Sequence, residues 1–153
     1  MNRMKIGLWC ALASCSLASF SLAGPKEEAF AVVEQFKKSF EASDAEAVTN
    51  LFAKDSIFLG TQMQGPTTQR DVILKYFVNS LGADKPRRLE VENYLAVQIS
   101  ETAFVFSGQN KFGRTKDGKE METPARFSFV VTKGAEGWRI SHFHSSLRPR
   151  PPQ

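Results

Sequence analysis

Near residue 85 the hydrophobic period of this chain changes, and the change limits the fold classes open to it. Before that point Ala29, Phe30, Val33, Phe36 and Phe40 recur at helical spacing, which predicts an amphipathic helix over Lys26–Ala42. Ser43-Asp44-Ala45-Glu46 has the capping-box pattern, so a short second helix is expected from Ser43 to about Ala53. Asp55–Leu59 reads as a brief strand. Gly65-Pro66 breaks the chain, Thr67 or Thr68 can cap, and Asp71, Val72, Ile73, Tyr76, Phe77 and Leu81 support a third helix ending at Gly82. Beyond residue 85, Leu89, Val91, Asn93, Leu95, Val97 and Ile99 alternate with Arg88, Glu90, Glu92, Tyr94, Ala96 and Gln98, as in a long strand buried on one face. Further strands are expected over Thr102–Phe112, Thr123–Thr132 and Trp138–Ser146. Asp117-Gly118 makes a hairpin turn, because this pair adopts positive φ at little cost. Helices followed by four hairpin-connected antiparallel strands give an α+β class, with the helices on one face of a curved sheet that forms a cup.

Charge excludes one class of partner. The chain carries 20 basic and 16 acidic residues, and four of the basic ones, Arg3, Lys5, Arg148 and Arg150, lie at its two ends. The body is balanced, so nothing favours nucleic-acid binding driven by phosphate contacts. Arg3 and Lys5 precede an uncharged run from Ile6 to Ala23 that closes on small residues, the pattern of a secretory signal cleaved before Gly24. The expectation is a signal peptide over 1–23, a folded domain over 24–147 and a flexible Pro/Arg tail over 148–153, in a periplasmic or secreted protein with no membrane span once processed. Leu12-Ala13-Ser14-Cys15 also resembles a lipoprotein box, which leaves anchoring at Cys15 as the alternative. Cys10 and Cys15 both fall in the leader, so the domain holds no thiol for a disulfide, a nucleophile or a metal.

The candidate chemistry is sparse. His142 and His144 are two apart on a strand and therefore share a face; strict alternation puts them beside Trp138 and Ile140, facing the cup. They read either as hydrogen-bonded structural histidines or as residues that orient a ligand. No third histidine and no domain cysteine completes a metal set, and no cofactor motif is present, so neither metal nor cofactor is expected. Trp138, Tyr94 and Phe58 join the imidazoles as candidate walls of a site for a small organic acid or an apolar molecule.

Gly137-Trp138-Arg139-Ile140-Ser141-His142-Phe143-His144-Ser145-Ser146, following Ala125-Arg126-Phe127-Ser128-Phe129, resembles the SnoaL-like and SgcJ/EcaC group of bacterial proteins. More distantly it is similar to the association domain of calcium/calmodulin-dependent protein kinase II, within the nuclear-transport-factor-two-like superfamily. The resemblance implies a cone-shaped roll: a strongly curved, mainly antiparallel sheet packed on three N-terminal helices. It also implies self-association, as a homodimer or higher oligomer, through the sheet face turned away from the helices. Arg126 stands where the kinase domain has an arginine able to hold a carboxylate, although strand parity puts it with Ser128 and Val130, away from Phe127 and Phe129, where an ion pair with Glu90, Glu92 or Glu122 is the other reading. Ketosteroid-isomerase-like members carry a catalytic aspartate at about the position of Gly60, so that base is missing, and Asp55 reads as a strand-start residue. Kinase activity is not implied. The favoured reading is an exported, non-catalytic domain for ligand binding or oligomerisation. The alternatives are an isomerase, cyclase or dehydratase with His142 or His144 as general acid/base and Arg126 as anion stabiliser, and an assembly module whose own Phe side chains fill the cup.

Overall fold

The computed structural model describes residues 24–82 and 87–149; the leader with Cys10 and Cys15, and the tail beyond Pro149, lie outside the described residues. The elements run α1 (Pro25–Glu41), α2 (Ala45–Thr49), β1 (Phe52–Leu59), α3 (Arg70–Leu81), β2 (Arg87–Ser100), β3 (Ala103–Lys116), β4 (Lys119–Gly134) and β5 (Gly137–Leu147). The strands form one sheet in the order β1-β5-β4-β3-β2, antiparallel throughout except for β1, which runs parallel to β5. The sheet is curled and not closed. This is the α+β roll expected, with a parallel fifth strand at one edge. Among the described residues no helix is long and apolar enough to cross a membrane.

α1 begins with Pro25, where a missing N–H is harmless, and carries Glu27 and Glu28 in its first turn, where the helix dipole favours negative charge. Its buried stripe of Ala29, Val33, Phe36 and Phe40 crosses the concave face of the sheet. The second helix differs from expectation. Ser43 has φ 57°, a left-handed turn that no N-cap adopts, and Asp44 caps instead, its carboxylate accepting from the Ala47 N–H at 2.9 Å. The helix lasts five residues, and β1 starts at Phe52 instead of Asp55. The cap position of α3 is Gln69; Thr67 is taken up by a two-bond bridge with Phe58, each N–H donating to the other's carbonyl at 2.9 Å.

Two single-residue insertions decide which side chains face inward. In β2, Val91 pairs with Asn110 and Asn93 with Gln109, so Glu92 is an extra residue. Leu89 and Val91 therefore face the helices as expected, but beyond the bulge the parity reverses. Tyr94 and Ala96 turn inward, while Leu95, Val97 and Ile99 point outward and are 79%, 59% and 63% exposed. Gly108 lies opposite Tyr94, where a Cβ would sit 2.0 Å from the Asn93 carbonyl oxygen, so only glycine permits this approach of β2 to β3. In β5, Val131 pairs with Ile140 and Val130 with His142, which makes Ser141 the extra residue. Trp138 and Ile140 are inside; past the bulge the inside residues are Phe143 and Ser145.

The core is a continuous ring cluster. Phe143 lies 4.8 Å from Phe129, 5.4 Å from Phe36 and 5.4 Å from Phe58, centroid to centroid. All described phenylalanines except Phe30 and Phe112 are buried, and each fully buried ring contributes about 1.5–3 kcal/mol through removal from water. Arg148, assigned from sequence to the tail, is tied to the sheet: it donates to the carbonyls of Ala125 and Asn110 at 3.0 Å and pairs with Glu92.

Candidate functional site

The cup survives as a cavity of about 410 Å³ at one end of the roll, within the size range of small-molecule sites. Its floor is made by rings from the second half of α1 (Phe36, Phe40), from α3 (Phe77), from β3 (Phe112) and from β5 (Phe143). These meet because the α1 stripe and the bulged β5 both turn phenylalanine to the same side of the sheet. The rim is polar. Thr61 donates its hydroxyl to Ser145 at 2.7 Å, leaving the Ser145 proton available to a third group. The Tyr76 ring packs beside Gly60, and burial pushes its phenol above the ordinary range, against the lowering effect of hydrogen bonds from Gln62 and Thr61. The phenol is therefore a neutral donor at physiological pH.

Across the mouth, Arg87 opens β2 and Arg114 lies near the end of β3. The two are directly opposed in the antiparallel register, and both line the cavity. No carboxylate or imidazole stands among the described lining residues, so this set of groups can hold and orient a molecule but offers no ordinary proton acceptor. Among the described residues no group of three His, Cys, Asp or Glu side chains comes together to hold a metal ion.

The expected site residues fall elsewhere. His142 and His144 pair with Val130 and Ser128 on the outer face of the sheet, half-buried and turned away from the cup. The physical reason is Ser141, whose insertion reverses the alternation that aligned them with Trp138 and Ile140. Burial, and then the charge of His144, holds the His142 imidazole below its ordinary value. Neither imidazole lines the cavity, so acid/base catalysis in the cup through either one loses its geometry. Arg126 is also on the outer face, exposed, and donates its Nε to Ser146 at 2.9 Å. Trp138 is inside but at the opposite end from the cavity, its indole N–H donating to Glu28 at 2.8 Å with Lys133 above the ring. Tyr94 stacks on Phe30 at 4.7 Å, also away from the cavity, and Phe58 is fully buried behind the floor, against Tyr76 and Phe143.

Arg87, Arg114, Tyr76 and Ser145 were not among the expected site residues. A signal for the arginines existed. Arg87 stands two before Leu89 and Arg114 two after Phe112, so each shares the inward parity of a core residue at the strand end where the core runs out. Gly60 gives a second result. A Cβ there would lie 2.4 Å from the Tyr76 ring, so a larger side chain at Gly60 would displace the phenol from the rim.

Comparison with known proteins bears on the same region. The family model for the SnoaL-like domain matches residues 30–150. A protein of Xanthomonas campestris described as a calcium/calmodulin-dependent protein kinase II association domain is similar in structure, with a TM-score of 0.74, 25% identity, and coverage of 82% of this chain and 89% of that one. A nuclear transport factor 2-like superfamily protein of Salmonella enterica serovar Typhimurium aligns with a TM-score of 0.71 and 21% identity over 84% of this chain and 94% of its own. An NTF2-like family protein of Streptomyces avermitilis, described as a dehydratase, aligns with a TM-score of 0.69 and 11% identity over 81% and 97%. The last two likenesses speak for the fold alone. No curated protein matches the sequence.

Proposed function

The chain belongs to the SnoaL-like domain family, and we propose that it is an exported, non-catalytic domain whose cup holds a small organic molecule and whose outer sheet face pairs with a second copy. The observation that carries the binding reading is the lining itself: a ring floor under a rim of phenol, hydroxyl and guanidinium donors, with no carboxylate or imidazole among the described lining residues. Such a lining desolvates an apolar body and orients a polar group without chemistry. The same lining speaks against an assembly module with a self-filled cup, because the phenylalanines leave about 410 Å³ open.

Support for self-association comes from the outward row Val97, Val105, Val130, His142 and Ile57, which runs across all five strands. With Leu95 and Ile99 it forms an apolar stripe on a face that no helix covers, and surfaces of that kind mark interfaces. Export rests on the charged start and uncharged run of residues 1–23. Native mass spectrometry of the protein from its own secretory compartment tests the three parts together. The expected species starts at Gly24, is a dimer and retains an organic ligand. A mass that includes residues 1–23 or an acyl group on Cys15, a monomer at all concentrations, or a ligand-free cup that takes up no added organic molecule each removes the corresponding part.

A further inference from the structure

We infer that Asn110 makes a small chamber behind the ring floor into the inner end of the ligand site, and that the ligand is a neutral ring compound with a hydroxyl group at its buried end. The inference rests on the cup being a ligand site and adds the chemistry of the group that enters deepest.

Asn110 lies on β3 and is 1% exposed, yet its side-chain Oδ1 has no hydrogen-bond partner among the described residues. An unpaired buried acceptor works against the fold, because it is taken out of water and gains no bond in return. Other buried polar side chains are treated in the usual way. Ser39 accepts from Gln35, Thr49 donates to the Ala45 carbonyl and Ser145 accepts from Thr61. Ser56 lacks a partner as well, but it lines neither the cup nor the chamber. Asn110 lines a chamber of about 20 Å³ between α1 and the sheet, walled by Val33, Phe36, Phe127 and Phe129. That is room for one group the size of water. The backbone there is held in place, since Arg148 donates to the carbonyls of Asn110 and Ala125, both at 3.0 Å.

The chamber adjoins the cup, for Phe36, Phe112 and Phe143 line both. On the sheet, Asn110 stands two residues from Phe112 and pairs with Ala125, which pairs in turn with the cup residue Leu147. Only the Ala125 methyl group lies between Asn110 and Leu147, two strand spacings or about 10 Å apart. A ring body resting on the floor therefore brings its end group to the chamber past the edge of Phe112, a ring that is only partly buried.

The chemistry of the chamber selects that group. An unpaired acceptor is met by a donor, a water-sized space is too small for a carboxylate or a phosphate, and apolar walls make a buried cation costly. Glu34 and Lys37, which border the chamber from α1, carry opposite charges and leave it without net charge. A neutral hydroxyl, with one proton to donate, meets every condition.

Fluorescence titration of the purified protein at neutral pH with 2-naphthol, naphthalene and 2-methoxynaphthalene tests the assignment. 2-Naphthol is expected to bind about 3- to 10-fold more tightly than naphthalene, the range of one net hydrogen bond. 2-Methoxynaphthalene keeps the oxygen but has no proton to donate, and should show no such gain. Asn110→Leu, close to asparagine in volume, should bring 2-naphthol down to the affinity of naphthalene and raise the thermal midpoint, because it removes an unpaired buried acceptor. That rise separates a ligand contact from a residue that serves the fold, whose loss lowers the midpoint. Side-chain amide resonances of Asn110 in the unmodified protein, which should shift with 2-naphthol and not with 2-methoxynaphthalene, give the same answer should the variant fail to fold. Equal binding of 2-naphthol and naphthalene, a preference that survives Asn110→Leu, or a lowered midpoint overturns the assignment and leaves the cup as a site. Failure of all three probes to bind removes the cup reading and the chamber with it.

Discussion

Replacing Phe143 and His144 in turn measures the inward and outward sides of β5 past the bulge. Phe143 is 4% exposed and has three ring neighbours within 5.4 Å, so truncation to alanine loses the burial of a large ring and several aromatic contacts. Phe→Ala in a core costs about 3–5 kcal/mol, part of it for the void left behind. Here the void opens into the existing cup, where solvent can enter, so the transfer part dominates and about 4 kcal/mol is expected. With an m-value of about 2 kcal/mol/M, the urea midpoint should fall by about 2 M. His144→Ala, on the outer face, should stay within about 0.5 kcal/mol of the parent. Unfolding followed at several protein concentrations separates any association contribution from the fold itself. Because natural domains hold only about 5–15 kcal/mol, Phe143→Leu serves if the alanine variant does not fold, and it too must cost more than His144→Ala. A reversed order, with histidine truncation the more damaging, would refute the bulge and return both imidazoles to the cup.

Two other outcomes are expected. His142 should titrate by NMR below its ordinary value of 6.5, and His144→Gln should move its midpoint upward by removing the second cause while burial remains. A depressed histidine binds its proton more readily in the unfolded chain, so its stability contribution is complete above about 6.5 and declines as pH falls from there to the folded midpoint; a midpoint at or above 6.5 contradicts this. Leu95→Lys with Val97→Lys, both at outward positions of β2, should leave the unfolding free energy of the monomer within about 0.5 kcal/mol per site and turn a sedimenting dimer into monomer. A dimer that persists places the contact on another surface.

The parts of this fold legible in the sequence are those set by local rules. The α1 stripe, the stop of α3 at Gly82 and the Asp117-Gly118 turn each follow from residues within a few positions of one another, and the structure has them where the periodicity puts them. The parallel pairing of β1 with β5 was not legible, because it joins Phe58 to Phe143 across most of the chain and leaves no short-range mark. The second helix departs from the sequence expectation for a local reason. Ser43 and Asp44 can both cap, and the choice between them depends on a left-handed turn required by the exit from α1. The ring floor was anticipated as a supply of phenylalanine, but the polar rim was not, because Arg87 and Arg114 become partners only when β2 and β3 are laid in register.

The remaining differences between expectation and structure share one physical origin. Strand side chains alternate strictly, so a single inserted residue transfers every later side chain to the other face, and nothing in an alternating pattern marks where that occurs. Glu92 does this in β2 and Ser141 in β5. Strict alternation through Glu92 and Ser141, with no bulge at either, would place Leu95 and His144 over the helices and leave Phe143 in solvent. With the two bulges the row Ala96, Phe106, Phe129, Phe143 and Phe58 runs unbroken beneath α1, and Val97, Val105, Val130, His142 and Ile57 run behind it. Bulges also increase local twist, and two in separate strands favour a sheet that curls instead of lying flat. Given this sequence, the aromatic floor and the apolar stripe on the opposite face therefore require the two extra residues to be bulged out of the ladder. A variant lacking Ser141 should keep Phe143 inside and His144 out by plain alternation from Ile140, and lose only the local twist that the bulge adds to β5.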